Sequence, residues 1–140
     1  MTDVFSKPKR SWIMSRVRQR HTEPELVIRS FLRAKGYGFR LHSKTLPGTP
    51  DVVLPRIRKV IFVNGCFWHQ HPRCSRAALP KSNQRFWAAK LLRNTERDKQ
   101  AKKLLRKQGW SVITLWQCQL KNAKTRQICL RRLGRRLEQQ

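Results

Sequence analysis

Thirty-three lysines and arginines against seven aspartates and glutamates give this chain a net charge of +26. A compact chain so charged repels itself unless its surface meets a polyanion. The expected partner is nucleic acid, because each phosphate contacted by a basic side chain releases condensed counterions. The charge does not mark a disordered chain: 39% of residues are hydrophobic and 9% aromatic, enough for a packed core. A length of 140 residues fits one domain. No run approaches the ~20 apolar residues of a membrane span, and no secretory apolar segment appears near the N-terminus. The expectation is a cytoplasmic protein with no membrane partner. Its four cysteines, Cys66, Cys74, Cys118 and Cys129, then point to metal before disulfides.

Residues 1–21 are basic, hold few apolar anchors and read as an arm, with a short helix around Trp12 to Val17. The spacing predicts a first helix from Thr22-Glu-Pro-Glu25, with Thr22 as cap, Pro24 in an early position and Glu25 placed for a capping box. Val27, Ile28, Phe31 and Leu32 form its apolar face, and Gly36 ends it. Strands are expected at Phe39 to Leu41, Asp51 to Leu54 and Lys59 to Val63, with turns at Pro47 to Pro50 and Pro55 to Arg58. An irregular segment, 64–85, precedes a long helix from about Phe86 to Gln108, closed by Gly109. Ser111 to Trp116 is a fourth strand, and Lys124 to Leu137 a basic amphipathic helix. The order helix, three strands, helix, strand, helix makes one α/β domain with the sheet at its centre. The chain divides into a DNA-binding arm (1–21), a core (22–122) and a basic C-terminal helix (123–140).

Cys66-Phe-Trp-His69-Gln-His71-Pro-Arg-Cys74 packs two cysteines and two histidines into one short run, and Cys118 follows the fourth strand. Tetrahedral zinc takes thiolate and imidazole donors at such local spacings plus a distant one. Five candidates compete for four places, six with Cys129, and spacing does not say which histidine is the ligand. The plainer alternative makes Cys118 and Cys129 small core residues.

Acidic residues are scarce: Glu23 and Glu25 open the first helix, Asp51 follows a turn, and Glu96 and Asp98 lie in the long helix. A carboxylate inside a phosphate-binding face is unfavourable unless it holds a cation, and phosphodiester hydrolysis commonly uses one to hold Mg²⁺. Asp51, at a turn-to-strand junction, is the leading candidate. Glu25 has the alternative of capping its helix, and Asp98 of pairing with Lys102 on a solvated face. His69 suits a general base, because imidazole titrates near neutrality; the alternative is a zinc or core histidine.

Pro50-Asp51 at a strand start, within an αβββαβ order, resembles the PD-(D/E)xK restriction-endonuclease-like fold with its mixed central sheet. The usual (D/E)xK is missing, since the equivalent stretch reads Phe62-Val63-Asn64. That departure resembles one branch, the very short patch repair (Vsr) mismatch endonucleases. Leu46-Pro-Gly-Thr-Pro-Asp51, Val60-Ile-Phe-Val-Asn-Gly-Cys-Phe-Trp-His69, Phe86-Trp87 to Asn94-x-x-Arg97-Asp98, and Gly109-Trp110 to Trp116-x-Cys118 carry the likeness, which covers residues 8–122.

The resemblance implies that Asp51 ligates Mg²⁺ together with the main-chain carbonyl of Val63. His69 would activate water, with Glu25 and Asp98 in the outer shell. Cys66, His71, Cys74 and Cys118 would hold a structural Zn²⁺. Val63 stands where the family usually has Thr, Asn64 where His is common, and Gln117 where Glu is common. Phe67, Trp68 and Trp87 would intercalate beside a T·G mismatch from the major groove and Met14 from the minor groove, with Lys90, Arg93 and Asn94 facing DNA. On residue type alone, Phe67 and Trp68 read as core aromatics. The implied activity is Mg-dependent nicking of one strand, leaving 5′-phosphate and 3′-hydroxyl ends. The implied setting is a monomer on the bacterial nucleoid, with mismatched duplex DNA and mismatch-repair proteins as partners. Two rivals stand beside it: a zinc-stabilised DNA-binding module without catalysis, and a same-fold endonuclease with another DNA target.

Overall fold

A computed structural model describes residues 22–139. The arm over 1–21, with Met14 and the helix expected near Trp12, lies outside the described residues. The first helix, α1, spans Glu23–Ala34 with Pro24 in its first turn. The expected capping box does not form, because Thr22 makes no side-chain cap bond. Glu25 is instead turned inward and only 2% exposed, where Arg29 and His42 hold its carboxylate. Charged and imidazole partners inside the fold stabilise it more than one terminal N–H would. Ile28 and Leu32 face the core. Gly36, at φ +82, turns the chain out, and the Tyr37 N–H donates to the Leu32 carbonyl, closing the helix as expected.

Strands β1 (Arg40–Leu41), β2 (Val52–Leu54), β3 (Lys59–Asn64) and β4 (Ser111–Trp116) form one four-stranded sheet in that order. The first three pair antiparallel, whereas β3 and β4 run parallel. A parallel pair needs a long crossover. It is made by the irregular segment and helix α2, Gln84–Lys107, which begins two residues before the expected Phe86. Gly109, at φ +90, follows it.

Successive strand residues point to opposite faces, and both faces are covered. Val52, Leu54, Ile61, Ile113 and Leu115 pack with Ile28 and Leu32 of α1 and with Cys129, Leu133 and Leu137 of α3, Ala123–Glu138. Val53, Val60, Phe62 and Val112 pack with Leu105 of α2. This explains the unbroken apolar run in β3: a strand buried on both faces does not alternate with polar residues. Each such side chain contributes roughly 1.5–3 kcal/mol by leaving water. The buried ammonium of Lys59 donates to the carbonyls of Arg136 and Gln139 at the end of α3, a favourable place for a cation. Cys129 is a core residue, 8% exposed.

One loop is pinned with little room. Gly48 has φ +74, and a Cβ there would lie 2.7 Å from the Ala101 Cβ. The turn leading into Asp51 is therefore seated directly on α2. Among the described residues, no helix is long and apolar enough to cross a membrane.

Candidate active site

The last β2–β3 pair on this side is Val52 with Ile61. Beyond it the Asp51 side chain replaces a backbone partner: its Oδ2 accepts the Val63 N–H at 2.6 Å. Glu25 arrives from α1, and Arg29 donates to its Oε2 at 3.2 Å. His42 arrives from the end of β1, with Nε2 3.2 and 3.3 Å from the two Glu25 oxygens and 3.9 Å from Asp51 Oδ1. The donor atoms of Glu25, His42 and Asp51 all lie within 4.8 Å of one another. Burial, and next the hydrogen bond with Glu25, push the Asp51 carboxyl up to about 8. A buried and a half-buried carboxyl so close hold a proton or a cation between them in preference to two bare charges. Two carboxylates and an imidazole are a fitting donor set for a divalent cation.

His42 was not among the candidates that the sequence offered. A signal existed: Arg40 pairs with Val53 and Leu41 with Val52. Continuing that register sets residue 42 opposite Asp51, and the His42 N–H indeed donates to the Asp51 carbonyl at 3.1 Å.

Past β3, His69 leaves the cysteine cluster and turns to α2, where its Nδ1 lies 2.6 Å from Asp98 Oδ2. Asp98 is thus bonded to an imidazole as well as lying near Lys102, whose ammonium burial shifts downward while Asp98 opposes the shift. Asn94 on the same helix donates its amide to the Trp68 carbonyl at 3.1 Å. Asn64, at the strand end, is 3% exposed.

Of the six cysteine and histidine candidates, Cys66, His71, Cys74 and Cys118 bring their donor atoms within 4.8 Å of one another. Cys118 Sγ lies 3.4 Å from His71 Nδ1, and the His71 ring stacks on Trp116 at 4.2 Å. The loop is folded on itself before any metal is considered. The His71 N–H donates to the Cys66 carbonyl at 2.9 Å, and the Gln70 amide donates to the carbonyls of Phe67 and Ala77. Burial pushes the Cys66 thiol up to about 12, so a thiolate there needs a cation. Three sulfurs and one imidazole fit tetrahedral zinc.

A family model described as DNA mismatch endonuclease Vsr matches residues 2–76. The chain belongs to that family. The type II nicking enzyme V.XorIIP of Xanthomonas oryzae pv. oryzae is 44% identical over 133 residues, covering 95% of this chain and 97% of its own. The type II nicking enzyme V.NmeAIP of Neisseria meningitidis is 42% identical, covering 96% and 94%. The DNA mismatch endonuclease Vsr of Escherichia coli is 39% identical, covering 86% and 77%. As a Vsr-family member the chain is a DNA endonuclease, a hydrolase of phosphodiester bonds. That sets aside the reading of a binding module without catalysis.

The intercalation candidates of this Vsr-family chain, Phe67, Trp68 and Trp87, form one group. Phe67 meets Trp68 edge-on at 5.1 Å and Trp87 at 5.5 Å, and Trp68 meets Trp87 at 6.0 Å. Trp87 is 8% exposed, so it is the floor of the group, with Phe67 and Trp68 half-buried above it. Phe86, 5.1 Å from Trp87, is 52% exposed; the sequence marks it as a helix start and part of the likeness, not as an intercalation candidate. Arg93 is exposed and Lys90 half-buried on the same helix.

Proposed function

We propose that this Vsr-family endonuclease nicks one strand of duplex DNA at a T·G mismatch, using Mg²⁺ for catalysis and Zn²⁺ for structure. The helix–three-strand–helix–strand order around a mixed sheet supports a restriction-endonuclease-like core over residues 22–122. To it are added the basic arm (1–21) and the C-terminal helix (123–140), in a monomer. The observation that carries the reading is the His69–Asp98 pair at 2.6 Å, on the loop that follows β3, the strand whose Val63 N–H donates to Asp51.

A divalent cation at Asp51 would supply stabilisation of the charge that develops on the scissile phosphate. The residues do the rest. In an extended strand the N–H and C=O of one residue point to the same edge. The Val63 carbonyl thus shares the edge on which its N–H meets Asp51, as a main-chain ligand requires. Glu25 adds negative charge beside that position. The Asp98 carboxylate accepts the Nδ1–H of His69, which leaves Nε2 with its lone pair to take a proton from the attacking water. The water oxygen bonds to phosphorus, the bond to the 3′-oxygen breaks, and that oxygen takes a proton from solvent. The nick then carries a 5′-phosphate and a 3′-hydroxyl. Asp98 stabilises the imidazolium so formed.

Cys66, His71, Cys74 and Cys118 would hold zinc and so fix the loop that bears Phe67, Trp68 and His69. Phe67 and Trp68, seated on Trp87, would enter the base stack where a mismatch lowers the cost of unstacking; Met14 would enter from the other groove. Arg93 and Lys90 would contact phosphates, while Asn94 fixes the loop through the Trp68 carbonyl. The test is incubation with Mg²⁺ and matched or T·G-mismatched duplexes, alongside Asp51→Ala. Mismatch-dependent nicking that Asp51→Ala abolishes is the expected result. Nicking untouched by Asp51→Ala would remove the metal site. Equal cutting of both duplexes would favour a second reading, a nicking enzyme with another target, to which two relatives named only as type II nicking enzymes lend support.

A further inference from the structure

The mechanism above uses two of the three donors beside β2 and leaves His42 unexplained. His42 has φ 46, a region that residues with side chains seldom adopt, and its N–H is bonded to the Asp51 carbonyl. Its side chain is 9% exposed. The Asp51 oxygen nearest His42 is Oδ1, at 3.9 Å, whereas Oδ2 is the one that accepts the Val63 N–H. One Glu25 oxygen, Oε2, takes the Arg29 guanidinium, and Oε1 stands 3.2 Å from Nε2.

These separations leave room for one ion between the donors. Adjacent donors on an octahedral cation with bonds near 2.1 Å lie about 3.0 Å apart, and opposite donors about 4.2 Å. The distances from Nε2 to Glu25 and Asp51, 3.2 to 3.9 Å, fall between those limits. We propose that His42, through Nε2, is a direct ligand of the catalytic cation beside Asp51, and that Glu25, expected in the outer shell, is the third side chain to reach the ion. This rests on the reading of Asp51 as the cation site. An imidazole nitrogen among oxygens shifts a site away from Mg²⁺ and towards Mn²⁺ or Co²⁺. The enzyme therefore binds Mn²⁺ more tightly than Mg²⁺, and His42 sets the margin.

The experiment is Mn²⁺ titration of zinc-loaded, full-length protein without DNA, followed by pulsed electron paramagnetic resonance. Zinc is diamagnetic and silent, so the signal reports the Mn²⁺ site. The expected result is nitrogen coupling from a directly bound imidazole in the wild type, lost in His42→Gln. Mn²⁺ affinity should fall about tenfold or more in that variant, with a smaller loss for Mg²⁺. Absence of nitrogen coupling in the wild type overturns the proposal, whatever the variant's stability. Coupling that persists in His42→Gln also overturns it, and a hydrogen bond to Glu25 is then His42's whole role. If Mn²⁺ does not bind the wild type and Asp51→Ala nicks normally, the Asp51 site itself fails. If Asp51→Ala is inactive while bound Mn²⁺ shows no nitrogen, only His42 is excluded.

Discussion

Three donors of the cysteine cluster come from one loop, Cys66 to Cys74, and the fourth from the turn just after β4. The three donors of the carboxylate site come from α1, the end of β1 and the residue before β2. Holding a zinc ion, the first cluster would fill its tetrahedron with protein and leave no place for a substrate, as a structural metal requires. The second would supply three side chains to a divalent cation, leaving places for water and phosphate. The first should therefore govern whether the loop stands, and the second whether the standing loop does chemistry.

That contrast is open to attack in order of expected effect. Cys118→Ser should unmake the loop: zinc by elemental analysis falls from about one per chain towards zero, and melting drops by roughly 10 °C or more. Full zinc content in that variant would erase the distinction. Asp51→Ala should do the reverse. Nicking in single-turnover assays falls about 10³-fold, equivalent to ~4 kcal/mol of transition-state stabilisation, while melting stays level or rises, because Glu25 no longer faces a second carboxyl. Asp98→Asn should cost about 10²-fold at neutral pH, through the His69 tautomer rather than through metal affinity. A lowered Mn²⁺ affinity in Asp98→Asn would instead join His69 to the cation site. Trp68→Ala should lower the preference for mismatched over matched duplex about tenfold, within the range of one stacking contact, and leave zinc content unchanged.

The smallest effect is a pH dependence. The Asp51 pKa is raised from 3.8 to about 8 by burial and by Glu25, with the Val63 N–H and Arg29 opposing; His42 faces the same pair. Between those values the native protein holds a proton that the unfolded chain has released. The stability from this group is thus full below about pH 4 and lost as pH rises through about 8. A cation replaces the proton, so the gain in melting temperature on adding Mg²⁺ should grow from about pH 6 to about pH 9. A gain independent of pH would mean that Asp51 and Glu25 do not share the ion.

The same contrast explains what could be read from the sequence. The cysteine cluster was visible because three of its donors are neighbours in the chain; the fold was needed to choose His71 over His69, which Asp98 draws away, and Cys118 over Cys129, which packs in the core. The helices and strands followed from periodicity and from Gly36 and Gly109. The carboxylate site was visible in part, since acids are rare in so basic a chain. His42 stayed hidden because its place depends on strand register, which a two-residue strand scarcely announces. Glu25 looked like a cap because its spacing from Thr22 is that of one, and burial overrode that local preference. Phe86 against Trp87 depended on helix rotation, which shows in exposure and not in residue type.

One face of α2 carries Trp87, Leu91, Asn94, Asp98, Ala101 and Leu105, at alternating steps of four and three. In order they floor the aromatic group, reach the core, tether the Trp68 carbonyl, hold His69, seat Gly48 and fill the sheet face. The helix is a ruler on which the parts of the reaction are marked off. A single residue inserted between Trp87 and Asp98 turns everything beyond it by about 100°, so the aromatic group and the His69–Asp98 pair fall out of alignment together. Changes of length can be absorbed before Gln84 or after Gly109, but within this interval only the faces turned to solvent are free to vary.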